Sequence, residues 1–561
     1  MRRALIAMLC LLTAVSVSAL GAPAQAEPPA ADQPRHGADA IRQLGGHLAA
    51  VAAAHGTTAA TLRERLQSDS SLWVDASERL FYVDPAPEQD VAGPSSAALS
   101  GTPLSAAQAL ELHSRPDAAR TVYLDFDGVG PAYTGTIGGA WSTRTYTGGD
   151  GNAEPYSLDA TATTAFSDAE VADIVSIWQR VAEDFAPFDI DVTTDAAAQA
   201  RIDRIDADDQ VYGTRVAITS SATSCGCGGV AYVGVFDQYF ASGQRAHSYY
   251  QPAFVYNRGA KYAAEAATHE AGHNLGLSHD GTNSTGYYTG HGDWAPIMGV
   301  GYYEPISQWS KGEYAGANNE EDDYSVIAAN GGPWLTEEAG PTALEVGTPA
   351  YGLLGVGDDS DAFTLTVPEG SVVTVAADHA EVSPNVDLQL TITQGGTTLT
   401  DDPASAALNP DVATGLGARL TGLAAGDYVI TVSRVGIGDP GSSGYSTYGS
   451  IGTYTVSAST SDTPLAPPTA PGPVAAALTS ASIAVTWSDV QGETSYELQR
   501  YTATGTTPAA VVLLAANRVS HVDSPGAGTW RYRLRALNSA GASDMSAFST
   551  QLTIAKQRGK R

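Results

Sequence analysis

The sequence predicts a multidomain chain in which one α/β domain, built on a mixed five-stranded sheet, precedes two all-β sandwich domains. The 561 residues leave room for several domains of about 100–200 residues each. Residues 119–340 mix strand-like and helix-like patterns, whereas residues 341–460 and 474–555 alternate apolar and polar residues without helical periodicity. Residues 461–473 are rich in proline and predict a semi-rigid linker between the two alternating regions.

The composition disfavours several classes of function. The chain holds 29 Lys and Arg against 61 Asp and Glu, a net charge of −32 at pH 7. Such acidity repels phosphate backbones and anionic lipid, which disfavours nucleic-acid binding and membrane-surface binding. Hydrophobic residues make up 43% of the sequence, which is enough for packed cores and argues against global disorder.

Residues 1–26 have the pattern of a secretory signal peptide. A basic start at Arg2 and Arg3, an apolar stretch and a final Ala24-Gln25-Ala26 match its three parts. A membrane anchor is the alternative, but small residues interrupt the stretch and no second run of about 18 apolar residues exists. The sequence therefore predicts a secreted, extracellular protein without membrane insertion.

Residues 27–118 predict a separable, alanine-rich segment. Residues 38–54 and 58–67 have helical patterns, residues 72–83 predict a short hairpin, and residues 89–103 are rich in Gly, Pro and Ser. A separable segment behind a signal peptide is typical of a pro-segment, and an ordinary small domain is the alternative.

Residues 119–340 predict the α/β domain. A strand at residues 121–126, a helix opened by a Ser167–Glu170 capping box and a strand at residues 188–194 form a strand–helix–strand unit. The pattern continues with strands at residues 211–219, 230–236 and 253–256 and with a helix at residues 260–275. This order predicts a mixed sheet with helices packed against it.

The chemistry of the chain is concentrated in one segment, residues 267–280. His269 and His273 are four residues apart, so a helix places both imidazoles on one face within reach of one ion. Glu270 lies beside them, a position that suits a base rather than a ligand. Gly276 can adopt positive φ and end the helix, after which His279 can supply a third nitrogen.

Three neutral imidazoles predict a catalytic zinc site, because they leave a fourth position for water. Zinc lowers the pKa of that water to about 7. We expect Glu270 to accept the proton of the water, so that the resulting hydroxide attacks a scissile carbonyl. Three solvated histidines, an inactive relic and a hydrolase of non-peptide amides are the alternatives. The alternative from another class is a non-catalytic secreted adhesion or binding protein with a structural zinc site.

The segment HEAGHNLGLSHD resembles the metzincin clan of zinc endopeptidases, and within it the adamalysin/reprolysin branch. The resemblance implies a secreted zinc metalloendopeptidase acting on protein or peptide substrates. It gives His269, His273 and His279 as zinc ligands and Glu270 as the general base. It also gives Asp280 as the residue that tethers the turn. Met298 is the candidate for the Met-turn, and Val300 stands where some metzincins have a tyrosine ligand.

The resemblance also implies an antiparallel edge strand near residues 228–237, to which a peptide substrate could add as an extended strand. Some metzincins are kept latent as zymogens by a cysteine on the zinc ion, but residues 27–224 contain no cysteine. A carboxylate such as Asp75 or Asp84, or simple steric cover, could serve instead.

Several other residues have competing interpretations. Cys225 and Cys227 could form a small local disulfide, remain free thiols, or, less favourably, bind a metal. His247 and His291 are interpreted as surface or pocket residues rather than ligands. The acidic runs at residues 318–323 and 358–361 could hold a structural calcium ion, but a solvated loop is the simpler interpretation.

The C-terminal regions resemble two kinds of accessory domain. Residues 341–460 are similar to the sandwich domains that follow secreted bacterial peptidases, on the patterns DAFTL and GDYVITV. Residues 474–555 resemble a fibronectin type III domain, with Trp487 as its core tryptophan. A basic tail follows at residues 556–561. The sandwich domains predict docking to a surface, polymer or substrate, because they carry no catalytic cluster.

Overall fold

The computed structural model describes residues 34–555, apart from a set of internal positions. These are residues 88–102, 148, 160–164, 222–224, 240–245, 336–339, 358–359, 370, 396, 402–415, 462–466, 480–481, 491–492, 494, 516–517 and 539–540. The predicted signal peptide and basic tail lie outside the described residues. Among the residues described, no helix has both the length and the apolar character needed to cross a membrane.

The N-terminal segment, residues 34–87, folds as a small helical layer with a hairpin. Its elements are β1 (Arg35–His36), α1 (Gly37–Leu44), α2 (Leu48–Ala54), α3 (Ala59–Ser68), β2 (Leu72–Val74) and β3 (Leu80–Pro85). The Thr58 side chain accepts a hydrogen bond from the Thr61 amide and so caps α3. Leu44, Leu62 and Leu66 are buried on the inner faces of the helices, against β2 and β3.

The α/β domain follows the predicted order of elements. They are α4 (Ala106–Ala109), β4 (Arg120–Asp125), α5 (Thr143–Tyr146), α6 (Asp168–Asp184), β5 (Ile190–Thr193), β6 (Tyr212–Ile218), β7 (Cys227–Tyr232), β8 (Ala253–Val255), α7 (Ala260–Asn274), β9 (Trp294–Pro296), β10 (Ile306–Gln308) and α8 (Asp323–Ala329). Ser167 and Glu170 make both reciprocal bonds of the predicted capping box at the start of α6. Apolar side chains of α6 and α7 pack against one face of the sheet in the largest core cluster.

The main sheet has eight strands in the order β1-β2-β3-β7-β8-β6-β4-β5. Five of these strands belong to residues 119–340, and β4, β5, β6 and β8 are parallel while β7 is antiparallel. The N-terminal segment adds the other three strands. The prediction that the strand near residues 228–237 lies at the sheet edge is therefore wrong for this chain, because β3 pairs with the open side of β7.

Residues 342–461 form a sandwich of two sheets. Its strands are β11 (Thr342–Ala343), β12 (Ala350–Leu354), β13 (Ser360–Val367), β14 (Val372–His379), β15 (Leu388–Gln394), β16 (Thr397–Asp401), β17 (Ala418–Leu423), β18 (Gly426–Arg434) and β19 (Gly452–Ser461). The sheet orders are β11-β13-β18-β15-β16 and β12-β19-β14-β17, and alternate side chains of both fill the space between them.

This sandwich is joined to the α/β domain by buried polar contacts. Asn385 Nδ2 donates to Asp184 Oδ1 at 2.8 Å, and the Thr453 amide donates to Glu183 Oε1 at 2.8 Å. Ile451 belongs to the core cluster of the α/β domain. Because the two domains share a core and hydrogen bonds that are buried or partly buried, they form a continuous structure along this face.

Residues 475–554 form a second sandwich. Its strands are β20 (Ala475–Thr479), β21 (Ser482–Thr486), β22 (Ser495–Thr502), β23 (Ala510–Ala515), β24 (Ser520–Asp523), β25 (Gly528–Asn538), β26 (Gly541–Ala542) and β27 (Leu552–Ile554). One sheet has the order β20-β21-β24 and the other β23-β22-β25-β26, with β27 also paired to β25. Trp487 is buried in the core between them, with its ring 5.7 Å from that of Tyr496.

Candidate metal centre

Helix α7 and the turn after it carry the three predicted histidines. His269 and His273 lie one turn apart on α7, and both are buried. Gly276 has a φ of +98°, a conformation that favours glycine, and it turns the chain directly after the helix. His279 then returns towards the helix, so that its ring centroid lies 5.2 Å from that of His269 and 4.8 Å from that of His273.

Each of the three imidazoles donates its Nδ1 proton to an oxygen acceptor. His269 donates to the Ile297 carbonyl and His273 to the Leu277 carbonyl, both at 2.8 Å. His279 donates to the Asp69 carboxylate at 2.7 Å. A neutral imidazole carries one N–H, so these bonds leave the lone pair of each ring on Nε2.

The three Nε2 atoms converge on one point together with the carboxylate of Asp84. Asp84 Oδ2 lies 3.1 Å from His269 Nε2 and 3.4 Å from His273 Nε2, and Oδ1 lies 3.2 Å from His279 Nε2. The Nε2 atoms of His273 and His279 are 3.0 Å apart. All four side chains are buried, and their ligand atoms lie within 4.8 Å of one another.

This donor set fits a divalent cation. Lone pairs that face each other at these distances repel unless a proton or a cation lies between them, and within the described residues His269 Nε2 and Asp84 Oδ2 have no hydrogen-bond partner. Tetrahedral zinc with bonds of about 2.0–2.1 Å separates its ligand atoms by about 3.3–3.4 Å. The four separations given above, 3.0–3.4 Å, are close to that spacing.

The buried carboxyl groups of Asp69, Asp84 and Glu270 determine the electrostatics of the centre. Burial by itself would lower the pKa of His279. The Asp69 and Asp84 carboxylates outweigh that effect and raise the pKa to about 9. Burial raises the pKa of Glu270 well above its usual value, and the neighbouring Asp84 adds to that shift. Burial, together with the neighbouring His269 and His279, lowers the pKa of His273 to about 4 against the effect of Asp84. Three carboxyl groups in one buried space favour the binding of a cation.

Glu270 lies on α7 beside the metal-binding group and points towards β7. A Cβ atom placed on Gly229 of β7 would overlap Glu270 Oε1, so the glycine makes the space that the carboxyl group occupies. Glu270 Oε2 is buried without a hydrogen-bond partner within the described residues. Its position next to the convergence point, but outside the ligand set, is the arrangement expected of a base.

Met298 and Asp280 pack beneath the centre. Met298 is fully buried, and its sulfur lies directly under Gly272 of α7, where a Cβ would come within 2.7 Å of it. The Asp280 amide donates to the Met298 carbonyl at 2.8 Å, and this bond ties the turn after His279 to the segment that carries Met298. Asp280 is buried, and burial together with Glu321 raises its pKa to about 8.

Sequence reasoning missed three residues around the histidines. Asp69 accepts the bond from His279, Tyr82 stacks on His273 with ring centroids 4.2 Å apart, and Tyr287 donates to Asp84 Oδ1 at 2.6 Å. Asp69 and Tyr82 belong to the N-terminal segment. No local pattern marks these residues, because each acts through a contact with a distant part of the chain.

The remaining candidates lie outside the centre. His247 Nδ1 accepts a bond from the Arg204 amide, and His291 bonds to Tyr288 and to the Gly444 carbonyl. Within the described residues, the group of Asp84 and the three histidines is the one set of His, Cys, Asp or Glu side chains close enough to share an ion.

The acidic runs and the cysteines have other partners. In the run at residues 318–323, Glu321 pairs with Arg65 at 2.7 Å and Asp322 caps α8. Residues 358 and 359 of the second run lie outside the described residues. Cys225 and Cys227 form a disulfide at the start of β7, which selects the first of the three interpretations of this pair.

Comparison with known proteins supports a zinc endopeptidase in general. Residues 157–303 match the Reprolysin_5 model, described as metallo-peptidase family M12. This range includes α6, the sheet strands β5 to β8, α7 and Met298, but neither Asp69 nor Asp84. No curated protein matches the chain.

Two solved structures are similar to parts of the chain. An Fn3-like protein from Clostridium thermocellum is 20% identical, with 16% of this chain and 97% of that chain covered and a TM-score of 0.14. The pre-peptidase C-terminal domain of collagenase from Bacillus anthracis is 15% identical, with 22% of this chain and 99% of that chain covered and a TM-score of 0.15.

Proposed function

We propose that the chain is a secreted zinc endopeptidase made as a zymogen. The observation that carries the proposal is the convergence of three Nε2 lone pairs, each fixed by an Nδ1 bond to an oxygen acceptor, beside the buried carboxyl group of Glu270. A structural site would have no use for a buried acid next to its ligands, whereas hydrolysis needs a proton acceptor there.

His269, His273 and His279 are the proposed zinc ligands. A zinc ion held by these residues would supply Lewis-acid chemistry, activating water and polarising the scissile carbonyl. Glu270 accepts the proton of the attacking water and then delivers it to the leaving amine. The bonds from His279 to Asp69, and from the other two rings to backbone carbonyls, hold the imidazoles in the required tautomer.

Two further residues support the centre in this proposal. Met298 acts as the Met-turn residue, with its side chain forming the floor under α7. Asp280 tethers the turn after His279 through its backbone bond to Met298. Protein or peptide substrates would pair with β7 along the side next to Glu270, the proposed peptide cleft, which β3 occupies in this structure.

The test uses the secreted protein and a mixture of peptides, before and after proteolytic removal of the N-terminal segment. We expect cleavage that a chelator abolishes and that added zinc restores. Glu270→Gln should retain stoichiometric zinc and the melting temperature of the parent, but lose cleavage by about 100-fold or more. Glu320→Gln, the same exchange at an exposed position, is the control. Full cleavage by Glu270→Gln would rule out the proposed base.

A second candidate function also has support from one observation. Asp84 gives the cluster four protein ligands, and a zinc site closed by four protein ligands is typical of structural sites. This favours the alternative of a non-catalytic adhesion or binding protein. The two candidates separate on the same experiment, because a structural site predicts no cleavage with or without the N-terminal segment.

The two sandwich domains have a proposed docking role. They carry the protein to a surface, a polymer or a large substrate, while the α/β domain cleaves. Deleting residues 474–561 tests this role without disturbing the interface between the first sandwich and the α/β domain. We expect unchanged cleavage of short peptides and reduced cleavage of large or immobilised proteins. Equal activity on both classes of substrate would contradict the docking role.

A further inference from the structure

The structure assigns Asp84 as the fourth protein ligand of the metal and β3 as an internal occupant of the peptide cleft. We propose that this strand, and not a cysteine, keeps the proposed endopeptidase inactive until the strand is displaced. The inference rests on the proposed function, since it describes how that site is regulated.

Asp84 occupies the position that a water or a substrate oxygen would need. Its two carboxylate oxygens lie 3.1–3.4 Å from the three Nε2 atoms, at the spacing of a shared ion. Tyr287 donates to Asp84 Oδ1 at 2.6 Å, which fixes the orientation of the carboxyl group. With Asp84 in place, the three histidines and one carboxylate complete a four-coordinate zinc site and leave no open position.

Strand β3 also occupies the pairing groups of β7. Phe81 pairs with Tyr232, and Asp84 pairs with Gly229, in an antiparallel ladder. On its other side β7 pairs with β8, so β3 takes the side that would otherwise be an open edge. The register places Asp84 opposite the glycine behind which Glu270 lies. The residue that reaches the ligands is therefore held on the strand that pairs with β7, against which the proposed base packs.

Contacts of Phe81 and Arg65, which both precede Asp84 in the chain, hold the N-terminal segment in place. The Phe81 ring lies 5.2 Å from the Tyr232 ring and 6.2 Å from the Trp141 ring, in an aromatic cluster of the α/β domain. Arg65 of α3 donates to Ser278 at 2.6 Å and pairs with Glu321 at 2.7 Å. These anchors belong to the turn and sheet around the centre, so the segment is docked on the site itself.

The structure shows different roles for Asp75 and Asp84, the two carboxylates that the sequence suggested as latency groups. Asp75 Oδ1 accepts bonds from the amides of Ser77 and Arg79 at 2.7 and 2.9 Å and so closes the hairpin turn. Its other oxygen faces the Tyr232 hydroxyl at 3.3 Å. Asp75 is therefore a structural residue of the hairpin, and Asp84 is the residue that faces the metal ligands.

The experiment measures access to the metal in the full-length protein. Cobalt replaces zinc, and its visible absorption is followed while acetohydroxamate, a small chelating ligand, is added. We expect the wild-type spectrum to resist the ligand. Asp84→Ala should respond at a concentration at least tenfold lower, because the fourth position is then open. Asp75→Asn, which keeps the acceptor for the hairpin turn, is the matched control and should behave like the wild type.

Each outcome has a distinct meaning. If the wild type and Asp84→Ala respond at the same concentration, Asp84 is not a ligand and this inference is overturned, while the metal site and the proposed function stand. If none of the proteins binds cobalt, the proposed function fails as well. Asp84→Asn is nearly isosteric and covers the case in which Asp84→Ala does not fold. The side-chain amide of this variant carries no negative charge. Acetohydroxamate should therefore displace the amide from the metal more readily than it displaces the wild-type carboxylate.

Discussion

Asp184, the last residue of α6, links helix α7 to the first sandwich domain, and its replacement by Asn gives a sharp test of that junction. Its carboxylate accepts bonds from Thr268 Oγ1 of α7 at 2.6 Å and from Asn385 Nδ2 at 2.8 Å. Burial raises its pKa to about 8, and the nearby Glu265 adds to the shift. Asn keeps the shape, accepting from Asn385 and donating to Thr268, but removes the ionisation.

The sign of the effect follows from the raised pKa. Between the unfolded value of 3.8 and about 8 the folded protein holds a proton that the unfolded chain has released, so stability falls as the pH rises. The slope is about 1.4 kcal/mol per pH unit, and it flattens as the pH approaches the folded pKa. From pH 6 to pH 8 the wild type should therefore lose about 2 kcal/mol relative to Asp184→Asn.

Urea unfolding at pH 6 and pH 8, followed by tryptophan fluorescence, measures this difference. At each pH, the free energy of unfolding of the wild type is subtracted from that of Asp184→Asn. This difference cancels the contributions of other titrating groups. Asp168→Asn, at the exposed first turn of the same helix, is the control and should behave like the wild type. If Asp184→Asn and the wild type respond equally to pH, Asp184 is ionised in the folded protein and the reasoning is refuted.

Three further perturbations test other parts of the structure. Arg65→Met should speed limited proteolysis of the N-terminal segment several-fold, because it removes the bonds to Ser278 and Glu321; an unchanged rate would show that this anchor is not needed. Met298→Ala should cost about 2–5 kcal/mol in urea unfolding by leaving a cavity under α7, and a loss below about 1 kcal/mol would contradict its packing role. Deleting residues 341–561 should lower the melting temperature of the α/β domain on the order of 10 °C, since it removes the hydrogen bonds from Asn385 and Thr453 and the packing of Ile451, whereas an unchanged transition would mean that the domains are independent.

Local sequence patterns predicted the elements that carry the ligands. The capping box at Ser167 and Glu170 and the four-residue spacing of His269 and His273 act within one or two helical turns. Gly276 was expected to have positive φ because the helix had to end before His279, and its φ is +98°. Such features depend on neighbours in the chain, so a single sequence contains the information that determines them.

Long-range contacts were beyond the reach of these patterns. Asp69 and His279 are 210 residues apart, and Asp184 and Asn385 are 201 residues apart. The aspartates and the asparagine in these pairs are common residues. No spacing in the sequence links one member of a pair to the other. The strand β3 was predicted as part of a hairpin, but its pairing with β7 depends on how the whole N-terminal segment packs. Asp84 could therefore be proposed only as one of two candidate carboxylates.

The N-terminal segment contributes to the metal centre in two opposite ways, and this limits how the proposed zymogen could be opened. Asp84 blocks the fourth position, whereas Asp69 orients His279 through the 2.7 Å bond to Nδ1. Loss of such an outer partner typically weakens metal binding by about 10–100-fold. Displacing β3 alone would free the fourth position and keep Asp69 on His279. Removing the whole N-terminal segment would also free the fourth position, but it would lower the affinity for zinc because Asp69 is lost. Displacement of β3 and removal of the segment should therefore give mature centres that differ in zinc affinity.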